Sequence, residues 1–159
     1  MEKVKNEKKH ILIVVIFMIV AIIVLMDSFP TDYSKYDPNE WLEEIESDWN
    51  IRFDKAEKTI YGANSQSGFH GDGASYTVVQ FSNGNKVKRM FNWKKIDKDE
   101  IDSIKYWLDD LDADEKNRPN FKRSMCYTKY KDSDEDDDKI YIIRDQSRPD
   151  NVYILETYT

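Results

Sequence analysis

Residues 11–26, ILIVVIFMIVAIIVLM, carry no polar or charged side chain, and no other stretch of the chain reads this way. As a helix these residues span about 24 Å, slightly short of a ~30 Å hydrocarbon core. Lys8 and Lys9 can snorkel at one end and Phe29 extends the other, which gives a spanning segment over 11–29. A secretory signal peptide has the same charged-then-apolar layout. The exit sequence VLMDSFP offers no pattern of small residues for cleavage, and no cysteine follows for lipid attachment. An uncleaved signal anchor is therefore expected ahead of a cleaved signal or a buried core helix.

Beyond a short spacer at 30–36 the pattern changes to half-apolar periodicities. Trp41, Leu42, Ile45 and Trp49 fall on one helical face opposite Glu43, Glu44 and Asp48. Asp37 suits the cap, Pro38 the first turn, and Glu40 the far side of a capping box. A second helix opens at Asp97, with Glu100 in the box position and Ile96 set to staple against Ile101. Its stripe is Ile101, Ile104, Leu108 and Leu111.

Strand patterns fill the rest. The first lies within 51–61, the second is ASYTVVQF (74–81), and the third is KVKRMFNW (86–93), joined to the second by the hairpin signal SNGN. FKRSMCYTKY, KIYIIRD and NVYILETYT supply three more after the second helix. The expected order is αβββαβββ. This predicts an α+β fold: an N-terminal transmembrane helix, then a two-layer domain with a mostly antiparallel sheet and two helices on one face. The other sheet face would be exposed or available to a partner. The divisions are a basic arm at 1–10, the anchor at 11–29, a linker at 30–36 and the domain at 37–159.

Charge gives the orientation. Lys3, Lys5, Lys8 and Lys9 precede the apolar run, while Asp27, Asp32 and Asp37 follow it. The positive-inside rule keeps the N-terminus in the cytoplasm and exports the domain. The arm takes four of the 24 basic residues and two of the 31 acidic ones, leaving 20 against 29 and a net charge of −9. Such a surface repels phosphate backbones, so nucleic acid is not an expected partner. Ten Tyr, seven Phe and four Trp supply enough apolar area for an ordered core. Cys126 is the single cysteine, which excludes an internal disulfide and reads as a small buried hydrophobe in a strand.

Candidate chemistry is sparse. The run DSDEDDD holds six acids in seven residues from Asp132 to Asp138. EF-hand spacing fails, because the sixth position is Asp137 or Lys139, not Gly, and the twelfth is Ile143 or Asp145, not Glu. A solvated hairpin loop is the simpler reading; the alternative is weak divalent-cation binding by Asp132, Asp134, Asp136 and Asp138. No zinc-protease, serine-hydrolase or phosphate-loop motif occurs, and no cofactor is implied. Carboxylate pairs are too numerous for any one to be singled out.

The stretch QSGFHGDGASY (66–76) holds three of the five glycines and His70, one of two histidines. Its glycines suit a shaped turn. Phe69, His70 and Asp72 are the candidate binding residues, and His70 with Asp72 is the acid–base pair of a hydrolase-like alternative. Gly68–Gly73 with the following YTVVQF resembles a motif of small membrane-anchored or exported proteins of Gram-positive bacteria, a group with no assigned activity. The resemblance implies export and nothing catalytic. The expected function is thus a single-pass, membrane-anchored, extracytoplasmic binding domain. Its partners would be the lipid bilayer, through 11–29, and an envelope protein or peptide.

Overall fold

The structure, a computed structural model, describes residues 37–65, 73–131 and 137–158. The anchor segment 11–29 lies outside them; among the described residues no helix is long and apolar enough to cross a membrane. Three α-helices and six strands follow in the order α1 (Pro38–Trp49), β1 (Ala56–Asn64), β2 (Gly73–Phe81), α2 (Gly84–Met90), β3 (Lys94–Lys95), α3 (Lys98–Asp110), β4 (Ser124–Tyr130), β5 (Lys139–Asp145) and β6 (Asn151–Tyr158). The α+β class is as the sequence predicts, and the strands form a single sheet, β1-β2-β6-β5-β4-β3, antiparallel at every pairing.

Two expectations are corrected. The segment 86–93, read as a third strand, contains most of α2. Asn83, taken as a hairpin residue, caps that helix instead: its side-chain oxygen accepts from the Asn85 N–H at 2.8 Å. Asn serves turns and N-caps equally well. Val87 is the one side chain that α2 buries. Only Lys94 and Lys95 then join the sheet, as a two-residue edge strand.

The second correction concerns layers. The main helices do not share a face. Leu42, Ile45 and Trp49 of α1 and Val87 of α2 pack with Val79, Phe81, Ile140, Ile142, Val152 and Ile154. Ile104 and Leu108 of α3 pack with Tyr76, Val78, Cys126, Tyr141, Ile143, Tyr153 and Leu155 on the opposite side. The domain has three layers, with helices on both faces of the sheet. The reason lies in β5 and β6, where Ile140–Ile143 and Val152–Leu155 are all buried. A one-sided antiparallel strand would alternate. Among the described residues, helices cover both faces of the central strands.

Local signals set the helix ends. In α3 the capping box closes as expected: the Asp97 carboxylate accepts from the Glu100 N–H at 2.8 Å, and Glu100 accepts from the Asp97 N–H at 3.4 Å. In α1 Asp37 caps through the Asn39 N–H at 2.9 Å, and the box with Glu40 does not form. After β2 the chain crosses to the far edge at β3. It then returns inward through β4 and β5, so that β6 lies at the centre.

Candidate functional site

Phe69, His70 and Asp72 lie outside the described residues, as do Asp132, Asp134 and Asp136. Their flanks are well placed. Ser65 N–H donates to the Ala74 carbonyl at 2.9 Å, and Ala74 N–H donates to Ser65 Oγ at 2.7 Å, closing the base of the glycine-rich loop. Gly73 pairs with Tyr158, Lys139 with Thr157, and Tyr130 with Lys139. The glycine-rich and acidic segments therefore leave the sheet at the same end. Asp138 sits buried at the foot of the acidic one and accepts from Lys131 Nζ at 2.9 Å. Among the described residues no group of three His, Cys, Asp or Glu side chains is arranged to hold a metal ion.

A concavity lies along β4. A cavity of about 420 Å³ is lined by residues of the β3 region, the start of α3 and Cys126–Thr128 with Tyr130. It exists because β3 is so short. β3 covers only Met125 and Cys126, so Tyr127–Tyr130 have no strand on their outer side among the described residues.

Each wall has its own character. On the α3 side, Thr128 Oγ1 donates to Glu100 Oε1 at 3.0 Å, and Cys126 Sγ lies 3.5 Å from the same hydroxyl. Lys139 Nζ sits 4.7 Å from the Tyr130 ring centre and 4.4 Å from that of Tyr141. On the other side Phe91 stacks on Tyr127 at 4.8 Å, with Phe53 and Trp93 edge-on to it. Tyr130 is 61% exposed, a large apolar surface for water to wet. Lys94 and Lys95 stand exposed where β3 begins.

Two groups here have shifted acidities. Burial pushes the Cys126 thiol up to about 12, against the pull of its Thr128 hydrogen bond, so it stays protonated and poorly nucleophilic at neutral pH. Partial burial works against charge on Lys139, but hydrogen bonds to the Tyr130 and Tyr141 oxygens outweigh it and the ammonium is held above its ordinary range. Neither the thiolate nor the neutral amine is populated at neutral pH. What the groove presents is backbone hydrogen-bonding capacity, aromatic surface and positive charge. A second concavity, about 400 Å³, lies between α1 and residues 53–55. Two of its polar side chains are taken up by backbone: Glu46 accepts from the Phe53 N–H, and Asn39 from the Ala56 N–H at 3.0 Å.

Of the groove residues, Cys126 stood out in the sequence as a buried strand residue, and Asp97 and Glu100 only as a helix cap. In the structure the burial of β4 thins out towards Tyr130, unlike that of β5 and β6, and its sequence offered no comparable signal. Comparison with protein-family models, with curated proteins and with solved structures yields no match.

Proposed function

We propose that the chain is a single-pass membrane protein that displays an acidic α+β domain outside the cytoplasm and acts there by binding another envelope protein or peptide. The apolar run 11–26 with its lysine-rich N-terminal flank supports the anchor and its orientation. The observation that carries the binding role is the groove on β4. Both sheet faces are covered by helices, and the fold nonetheless leaves four residues of an inner strand uncovered beside an aromatic cluster. Binding at this edge takes the place of binding on an open sheet face.

The test uses the full chain in bacterial cells. A photo-crosslinking phenylalanine replaces Tyr130 at the groove or, as a control, the equally exposed Tyr106 on α3. A discrete crosslink to an envelope protein is expected from the first position and not the second. No crosslink from position 130 would remove the binding role. In parallel, Tyr106→Cys should react with a membrane-impermeant maleimide in intact cells. Labelling only after lysis would overturn the exported orientation.

A further inference from the structure

We infer that the groove takes an extended, acidic segment of a partner protein as a seventh strand, in line with β3 and antiparallel to β4. This rests on the binding role proposed above and specifies its ligand. Lys131 N–H donates to the Asp138 carbonyl and Gln146 N–H to the Arg123 carbonyl. With the register Tyr127↔Ile142 and Lys129↔Ile140, the odd-numbered residues of β4 bond to β5. An antiparallel ladder alternates, so the N–H and C=O groups of Cys126, Thr128 and Tyr130 point outward. Cys126 faces Lys94 in β3. Thr128 and Tyr130 face no strand among the described residues, because the chain leaves the ladder at Trp93, whose N–H turns back to the Phe91 carbonyl at 3.0 Å.

The opposite edge shows what a guarded strand looks like in this same sheet. β1 has irregular register between Ala56 and Lys58 and again between Thr59 and Tyr61. Asn39 closes both backbone groups of Ala56, and Glu57 and Lys58 stand exposed. Bulges, charges and a side-chain cap are the usual means of blocking edge pairing. Beyond Cys126, β4 keeps a regular register, and its one charge, Lys129, is turned away from the edge to the Trp49 and Asn50 carbonyls.

The side chains beside the edge define the ligand. An added strand places alternate residues on opposite faces. One set meets the Phe91–Tyr127 rings and favours apolar residues. The other set meets Thr128, Tyr130 and the exposed Lys94. Lys94 and Lys95 are held in no ion pair among the described residues. The acids of the groove are already engaged: Asp97 and Glu100 bond each other's backbone, and Glu100 also takes the Thr128 hydroxyl. The domain carries 27 acidic against 19 basic residues over 37–159, so an acidic segment is repelled by most of its surface and finds its lysines here.

The experiment uses the full chain in detergent micelles with a terminally blocked heptapeptide alternating glutamate with phenylalanine or valine. Three comparison peptides carry lysine for glutamate, or N-methyl groups on alternate residues in either of two registers. The glutamate peptide should shift the Thr128 and Tyr130 amide resonances and leave those of Lys58 and Ile60 in place. One N-methyl register, and the protein variant Lys94→Glu with Lys95→Glu, should each weaken it about tenfold or more. The lysine peptide should bind more weakly than the glutamate peptide. Binding that ignores N-methylation, shifts centred elsewhere, or no binding would each overturn strand addition. So would slow hydrogen exchange of the Thr128 and Tyr130 amides in the peptide-free protein, which would mean that this chain or a second copy already covers the edge. A crosslink from position 130 that survives any of these results keeps the binding role and removes only the strand.

Discussion

Glu156 is a carboxylate buried on the sheet face that α1 covers, where it accepts from Trp49 Nε1 at 2.7 Å and Ser75 Oγ at 3.0 Å. Burial raises its pKa, and the hydrogen bonds from Trp49, Ser75 and Tyr158 oppose this without cancelling it. A carboxyl whose folded pKa exceeds its unfolded value binds its proton more tightly in the native state. Its charged form therefore costs stability above the folded pKa, and that cost fades as the pH falls towards the ordinary glutamate value of about 4.3. Glu156→Gln keeps the shape and an oxygen for the indole while removing the charge. Relative to this variant, the wild type should have its lowest Tm near pH 7 and recover as the pH is lowered through the carboxylate range. Thermal melts of both proteins at several pH values check this; a gap that does not vary with pH would mean that the buried charge costs nothing.

Among the elements, α2 depends most on one close approach. A Cβ built on Gly84 would lie 2.8 Å from both the Cβ and the carbonyl oxygen of Pro149, in the turn between β5 and β6. Alanine favours a helix over glycine by about 1 kcal/mol, whereas overpacking against backbone costs about 1–3 kcal/mol. Gly84→Ala should thus lower the urea midpoint, while Asn85→Ala, one residue along and exposed, should leave it unchanged or raise it. A rise for Gly84→Ala would show that the Pro149 turn yields freely.

The misreading of this same element shows where sequence reasoning reaches its limit. In KVKRMFNW, Val87 and Phe91 are four apart and fit a helical turn, while the aromatic and β-branched content fits a strand. Eight residues cannot separate the two periods. The helices at 37–49 and 97–110 were legible because caps and stripes agree over three turns. β5 and β6 were legible as strands too, and their unbroken apolar runs already carried the sign of two-sided cover. The groove was not legible, because it follows from how far β3 runs beside β4, and that pairing has no local signature. Glycines and charge drew attention to 66–72 and 132–138, which fall largely outside the described residues, though their flanks Gly73, Tyr130 and Lys139 stand at one end of the sheet.

At the scale of the whole molecule, the two hydrophobic clusters lie on opposite faces of the same strands. Ile154 and Leu155 are adjacent in β6, both buried, and they point into different clusters. Losing either to alanine should cost about 2–5 kcal/mol, since each leaves a cavity in a close-packed layer. The structure also predicts how that loss spreads. β6 lies between β2 and β5, so neither cluster can loosen without disturbing the ladder that supports the other. Trp49 reports on the face covered by α1, and Trp107 packs against the cluster under α3. With fluorotryptophan in place of tryptophan, fluorine NMR follows the two positions separately through a urea titration. Ile154→Ala and Leu155→Ala should each lower both midpoints together, whichever face the cavity is on. If Leu155→Ala instead released Trp107 while Trp49 kept its wild-type midpoint, the two faces would be separate folding units. The sheet would then be a weaker scaffold for the β4 edge than the shared strands imply.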